Sequence, residues 1–324
     1  MCLKLLLRDW TLPMAMLSGT AAYLLFAFIP QLAAAGSFLG PVMDALLPLF
    51  MFLVLFVTFC KVDFHKLRPV WWHLWVTLFN LLFVSIVMAL LLLPPTRGIA
   101  LPLSAKVLLE SLLMCIIVPC ATATAVVTQK LGGSLEQTTT FTFLSNFLAA
   151  LLVPMCFPLI EKGADVVFIA AFTKILYEVA GLLVVPMLLA YVVKHRLRRL
   201  HYYIVGVPDL SFYLWACSLA IVTGFTVRNI VRSQASPWLL MTIALLSLVV
   251  CVVQFAVGRF VGRFSGHAQE AGQALGQKNT AFAIWLSTAY LHPLSSVGPG
   301  CYILWQNIIN SVEIWLSARK STVR

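Results

Sequence analysis

Val118-Pro119-Cys120-Ala121-Thr122-Ala123-Thr124-Ala125 lies inside an otherwise apolar run over residues 107–129. Proline lacks an N–H and drives the residue before it out of the helical region. Small and hydroxylated residues follow at once. A second apolar run, over 272–291, contains Ala274-Leu275-Gly276-Gln277-Lys278-Asn279-Thr280-Ala281. Gly, Gln, Lys and Asn in succession do not suit a lipid-facing helix. Each stretch predicts a helix that breaks part-way and exposes helix ends able to bind ions or polar groups.

Composition says where such helices lie. Of 324 residues, 61% are hydrophobic and only 10% charged, against about 25% charged in a soluble domain. So few charges cannot cover a water-soluble globule, which argues against a soluble enzyme, a nucleic-acid binder or a disordered chain. A spanning helix needs about 20 apolar residues. Apolar runs fall near 11–33, 40–60, 70–94, 107–129, 137–160, 167–193, 210–227, 237–260, 272–291 and 296–317, which predicts ten membrane helices with short connections. The first run, from about Trp10 to Leu32, is long enough to span and reads as part of the mature protein rather than a cleaved signal.

Basic residues orient the spans. With the N-terminus placed in the cytoplasm, inside segments hold 15 Lys and Arg and outside segments hold six (Arg97, Lys106, Lys162, Lys174, Arg228 and Arg232). The last of the 22, Lys278, lies within a span. This bias predicts both termini inside; the membrane expected is the plasma (inner) membrane. It also accounts for the net charge of +11 without a nucleic-acid partner. Trp71, Trp72, Trp75 and Trp238 lie near span ends and read as an interfacial belt. The eight cysteines are scattered without a CxxC and read as small buried hydrophobes, so no metal or disulfide framework is indicated. HExxH and GxSxG are absent, and the six histidines sit mainly near span ends, so an intramembrane enzyme is disfavoured.

Ten spans divide into five plus five. An odd number per half inverts a repeated unit, and interrupted segments in corresponding positions point to the site of a secondary transporter. Spans 4 and 9 are such a pair. On span 5, Thr138, Thr142 and Asn146 recur every four residues and share one face. The plain alternative is that these hydroxyls bond back to their own helix.

These residues resemble the bile acid:sodium symporter family, as a divergent member. The family breaks its fourth helix at Pro-Gly-Gly-Thr-Ala-Ser-Asn, matched here by Pro119 to Ala125. Two hydroxyl residues on its fifth helix match Thr138 and Thr142. Its ninth helix carries Glu-Val-Gly-Met-Gln-Asn-Ser-Gly, matched by Ala274 to Ala281. A closing Pro-Gly…Trp-His-Asn reads Pro299-Gly300…Trp305-Gln306-Asn307 here.

The resemblance implies an all-α polytopic membrane protein of two inverted five-helix repeats with discontinuous helices 4 and 9. It implies a core (about 70–160 and 237–318) and a panel (about 11–60 and 167–227). It also implies uptake of an organic anion, a bile acid or small carboxylate, with sodium by alternating access. No tightly bound cofactor is expected beyond sodium itself. The partners expected are the anion and the lipid bilayer.

Departures from the family pattern cluster at one place. The acidic residue of its sodium sites is Ala274 here, the glutamine that follows is Lys278, and the helix 4 asparagine is Ala125. An ammonium there has the volume and charge of a sodium ion and would repel one. A charge at the bilayer centre costs roughly 2.5–3.5 kcal/mol on insertion scales, so Lys278 calls for a partner, for solvent or for loss of its proton. The acidic candidates inside spans are Glu110, Glu178 and Glu313.

The residues nominated for substrate are Thr122, Lys278, Asn279, Thr280 and Asn307. Those nominated for the coupling ion or its replacement are Thr124, Thr138, Thr142, Gln277, Lys278 and Asn80. Asn80 falls within one residue of a family sodium-ligand glutamine. The alternatives are a sodium-independent or proton-coupled anion transporter with Lys278 replacing the coupling cation, and, less favoured, a channel.

Overall fold

Residues 72, 76, 80, 84, 88 and 91 repeat every three or four positions, and all are buried on one face of the helix Trp71–Thr96. The opposite face exposes Trp71, Leu74, Trp75, Leu78, Leu82, Ile86, Leu90 and Leu93. An outward face this apolar is stable only against lipid, and a helix satisfies its own backbone there. In the computed structural model the described residues are 11–63, 67–121, 123–160, 173, 176–177, 180–181, 184–207, 209–232 and 235–322.

Thirteen α-helices are described: α1 Thr11–Phe28, α2 Ala33–Lys61, α3 Trp71–Thr96, α4 Leu103–Ile117, α5 Ala123–Lys130, α6 Leu135–Ile160, α7 Val185–Arg196, α8 Arg198–Val205, α9 Leu210–Arg232, α10 Pro237–Arg263, α11 Ala268–Gly276, α12 Thr280–Tyr290 and α13 Val297–Thr322. Five of these, α2, α3, α6, α9 and α10, are long and apolar enough to cross a membrane. No β-strand occurs among the described residues. Much of the first half of the sixth apolar run, including Glu178, lies outside them.

Boundaries differ from the sequence expectation most in α2. It begins at Ala33, not near residue 40, and runs through Gly36, Gly40 and Pro41. A proline breaks a helix in water partly because solvent takes over the freed carbonyl. A lipid-facing segment has no such competitor and stays helical.

The chain forms two compact units. The first comprises 1–61 and 186–234, the second 62–185 and 235–324. In the first, α9 packs on α1 and α2, with Gly19 of α1 against the Ala220 backbone of α9. Arg228 of α9 faces Asp44 of α2 at 3.4 Å, and Lys61 Nζ donates to the Val207 carbonyl at 2.7 Å. In the second unit, α10 and α11 form a tight hairpin. A Cβ at Gly258 or Gly262 would strike the α11 backbone or the turn before it, and one at Gly276 would strike the Phe255 ring. That close packing sets the end of α11, where its chain stops being helical, against α10.

Trp72 corrects the interfacial-belt expectation. It is buried, donates from Nε1 to Gln137 Oε1 at 2.9 Å, and stacks on Phe141. Trp71, Trp75 and Trp238 are exposed.

Candidate site at the crossing of two interrupted helices

Pro119 does at α4 what its chemistry requires. Val118, the residue before it, is extended (φ −68°, ψ 152°), and the helix ends at Ile117. On the other side, α11 ends at Gly276, Gln277 is extended (φ −95°, ψ 106°), and α12 restarts at Thr280. The two non-helical segments run antiparallel through a single bridge between Cys120 and Lys278. Ala121 N–H donates to the Gln277 carbonyl at 3.0 Å, and Asn279 N–H to the Pro119 carbonyl at 2.9 Å. Each break thus supplies hydrogen-bond partners that the other lost.

Side chains complete this accounting. Gln306 of α13 brackets Lys278: its Oε1 accepts from Lys278 N–H at 2.9 Å and its Nε2 donates to the Lys278 carbonyl at 3.2 Å. Tyr302 donates to the Gly276 carbonyl at 2.6 Å and accepts from Gln254 Nε2 at 3.0 Å. Ser145 Oγ accepts from Cys120 N–H at 3.1 Å. Asn279 caps α12, its Oδ1 accepting from Phe282 N–H at 3.2 Å.

The electrostatics follow from the ends brought together. The C-termini of α4 and α11 present carbonyls and partial negative charge, while the N-termini of α5 and α12 present N–H groups and partial positive charge. Cations and anions therefore both have favourable ends to approach.

The Lys278 side chain takes the cation-favouring end. It is 3% exposed, and its Nζ donates to Asn80 Oδ1 at 2.7 Å and to the Ile116 carbonyl in the last turn of α4 at 2.9 Å. Its partner is therefore an amide and a helix end. Two of the three acids weighed from the sequence are committed elsewhere. Glu110 accepts from Ser295 Oγ at 2.6 Å and lies 3.6 Å from Lys106 Nζ. Glu313 pairs with Arg259 and accepts from Gln273 Nε2 at 2.8 Å. Ser295, Arg259 and Gln273 all lie far from these acids in sequence, so spacing along the chain could not reveal the pairings.

Among the other nominated residues, Thr138 donates to the Ser134 carbonyl at 2.9 Å and Thr142 to the Thr138 carbonyl at 3.0 Å, which is local back-bonding within α6. Thr142 also points its hydroxyl at Cys120 Sγ (3.8 Å), and that thiol reaches Thr124 Oγ1 (3.2 Å). The structure thus gathers Thr124 and Thr142 around Cys120, and Lys278 with Asn80. Gln277 and Thr280 are buried, and neither side-chain polar atom of Gln277 has a protein partner among the described residues. Asn307 bonds back to the Ile303 carbonyl at 2.7 Å, so it is not drawn into the crossing by any hydrogen bond described. Thr122 lies outside the described residues. No carboxylate bonds to these oxygens or to Lys278 among the described residues, so the donor set is poor for a sodium ion while the ammonium is present.

Sequence reading met Gln306 only within the closing motif and nominated neither it nor Tyr302, Gln254 or Ser145 for the site. A signal existed: Gln254 and Gln306 are uncharged polar residues inside apolar runs, each with no place on a lipid face.

An integral, multi-pass membrane protein with two broken helices crossing at a buried polar point is the class these features define. Compared with known families, residues 48–233 match the Sodium Bile acid symporter family. That is more than half of the chain, and the protein belongs to this family of membrane transporters. No curated protein matches the chain.

Proposed function

We propose that the protein is a secondary active transporter that moves a small or amphipathic organic anion across the membrane by alternating access. The observation that carries this reading is the antiparallel crossing of the breaks after α4 and α11, with two helix N-termini beside it and Lys278 buried within it. Asn279 and Thr280, where α12 begins, are the anion ligands of this proposal together with Lys278, Thr122 and Asn307. The fold that serves it has ten spans in two inverted repeats, a core of about 70–160 and 237–318, and a panel of about 11–60 and 167–227. Both termini lie in the cytoplasm, in line with the Lys and Arg bias, and the membrane proposed is the plasma (inner) membrane.

Coupling in the family's manner would draw oxygen ligands from Thr124, Thr138, Thr142, Gln277 and Asn80. The contact between Lys278 Nζ and Asn80 Oδ1 favours transport that runs without sodium. Counterflow in proteoliposomes tests the carrier reading, using a labelled bile acid and labelled short carboxylates. Saturable uptake stimulated by the same anion on the far side supports a carrier. Ion currents far faster than carrier turnover overturn it in favour of a channel.

A further inference from the structure

The ammonium of Lys278 sits against two neutral oxygens of the kind that ligate a free monovalent cation. Its two described acceptors are oxygens, an amide Oδ1 and a peptide carbonyl. The carbonyl belongs to Ile116, in the last turn of α4, where the helix dipole concentrates negative potential. Asn80 is held on the buried stripe of α3, and Gln306 pins the Lys278 backbone on the other side. Beside the side chain lies a cavity of about 10 Å³, lined by Asn80, Thr77, Ser145, Cys120 and Lys278 among others. That is room for one water. With no carboxylate bonded to it among the described residues, the ammonium neutralises helix-end and amide dipoles rather than a charge.

We propose that Lys278 is a resident cation: its ammonium fills a monovalent-cation site built by Asn80 Oδ1 and the Ile116 carbonyl, and sodium enters that site only when the ammonium is removed. This deepens the sodium-independent reading above and rests on it. Shortening the side chain leaves both oxygens pointing at a vacated, cation-sized space next to an existing water-sized one. A glutamine at this position adds a third neutral oxygen to them. A methionine fills the space with an apolar chain and offers no ligand.

The test is the thermal midpoint of purified protein in sodium chloride and in choline chloride at equal ionic strength. A ligand that binds only the folded state raises the midpoint. Wild type is expected to show the same midpoint in both salts. Lys278→Ala and Lys278→Gln are expected to fall in choline and to recover by about 3 °C or more in sodium. Lys278→Met is expected to fall equally in both. A sodium-specific rise in wild type overturns the proposal, and that arm needs no variant to fold. So does a Lys278→Ala or Lys278→Gln protein that gives one midpoint in both salts. No transported anion enters the readout, so a failure of the carrier reading shows in counterflow and a failure of this one in the midpoints.

Discussion

Replacing Gln306 by leucine should cost the crossing its one cross-helix bracket. The Gln306 amide makes two hydrogen bonds, at 2.9 Å to the Lys278 N–H and 3.2 Å to its carbonyl. The two losses are unequal. The carbonyl also accepts from Thr280 N–H at 2.9 Å and keeps a partner, so its share is about 0.5–1 kcal/mol. The Lys278 N–H has only Gln306 among the described bonds, and leaving it orphaned in a buried position costs about 1–3 kcal/mol. Together the substitution should destabilise by about 1.5–4 kcal/mol, or roughly 2–6 °C in the thermal midpoint. The neighbouring Asn307→Leu is the control. Among the described residues its amide bonds only back to Ile303 on its own helix and its Oδ1 has no partner, so its loss should stay below about 1 kcal/mol. Midpoints measured side by side in one detergent decide the matter. A Gln306→Leu protein within about 1 °C of wild type, or an Asn307→Leu protein that falls as far, would refute the reasoning.

Tyr302→Phe removes the donor to the Gly276 carbonyl while Gln254 keeps its bond to Cys115, so a loss of about 1–2 kcal/mol is expected in the same midpoint assay. Trp72→Phe keeps the stack on Phe141 but orphans Gln137 Oε1; about 1 kcal/mol is expected, and Gln137→Leu combined with it should add little more. Gly258→Val places a side chain against the Ala271 backbone, where nothing flexible can yield, and should abolish the monodisperse peak on size-exclusion chromatography, whereas Gly40→Ala, with open space around it, should leave that peak intact.

The two breaks were legible because their causes are local. Pro119 excludes a helical Val118, and four polar or flexible residues from Gly276 to Asn279 have no reason to face lipid. The apolar faces were legible for the same reason, since lipid exposure leaves its mark residue by residue. What holds Lys278 was legible only in Asn80, nominated beside it for the ion or its replacement. Of the three acids weighed as its counter-ion, Glu110 and Glu313 are taken up by Ser295, Arg259 and Gln273, Glu178 lies outside the described residues, and the ammonium instead meets an amide 198 positions away and a backbone carbonyl. A carbonyl has no residue type to betray it. Trp72 misled for a related reason: position near a span end suggests an interface, but the helical phase that buries residues 72, 76 and 80 together decides its face. The hydroxyls of Thr138 and Thr142 share a face as the spacing requires, yet their protons go to their own helix, an outcome periodicity does not distinguish from a ligand set.

The central claim is that the crossing opens in turn to the two sides of the membrane. Ala281, half-buried in the first turn of α12 beside Asn279, is a mild place to put a reporter. An Ala281→Cys protein in sealed vesicles should react with a membrane-impermeant maleimide added from either side, beyond the labelling of the native thiols, and a saturating transported anion should slow both reactions. Labelling from one side only, or from neither, would contradict the account.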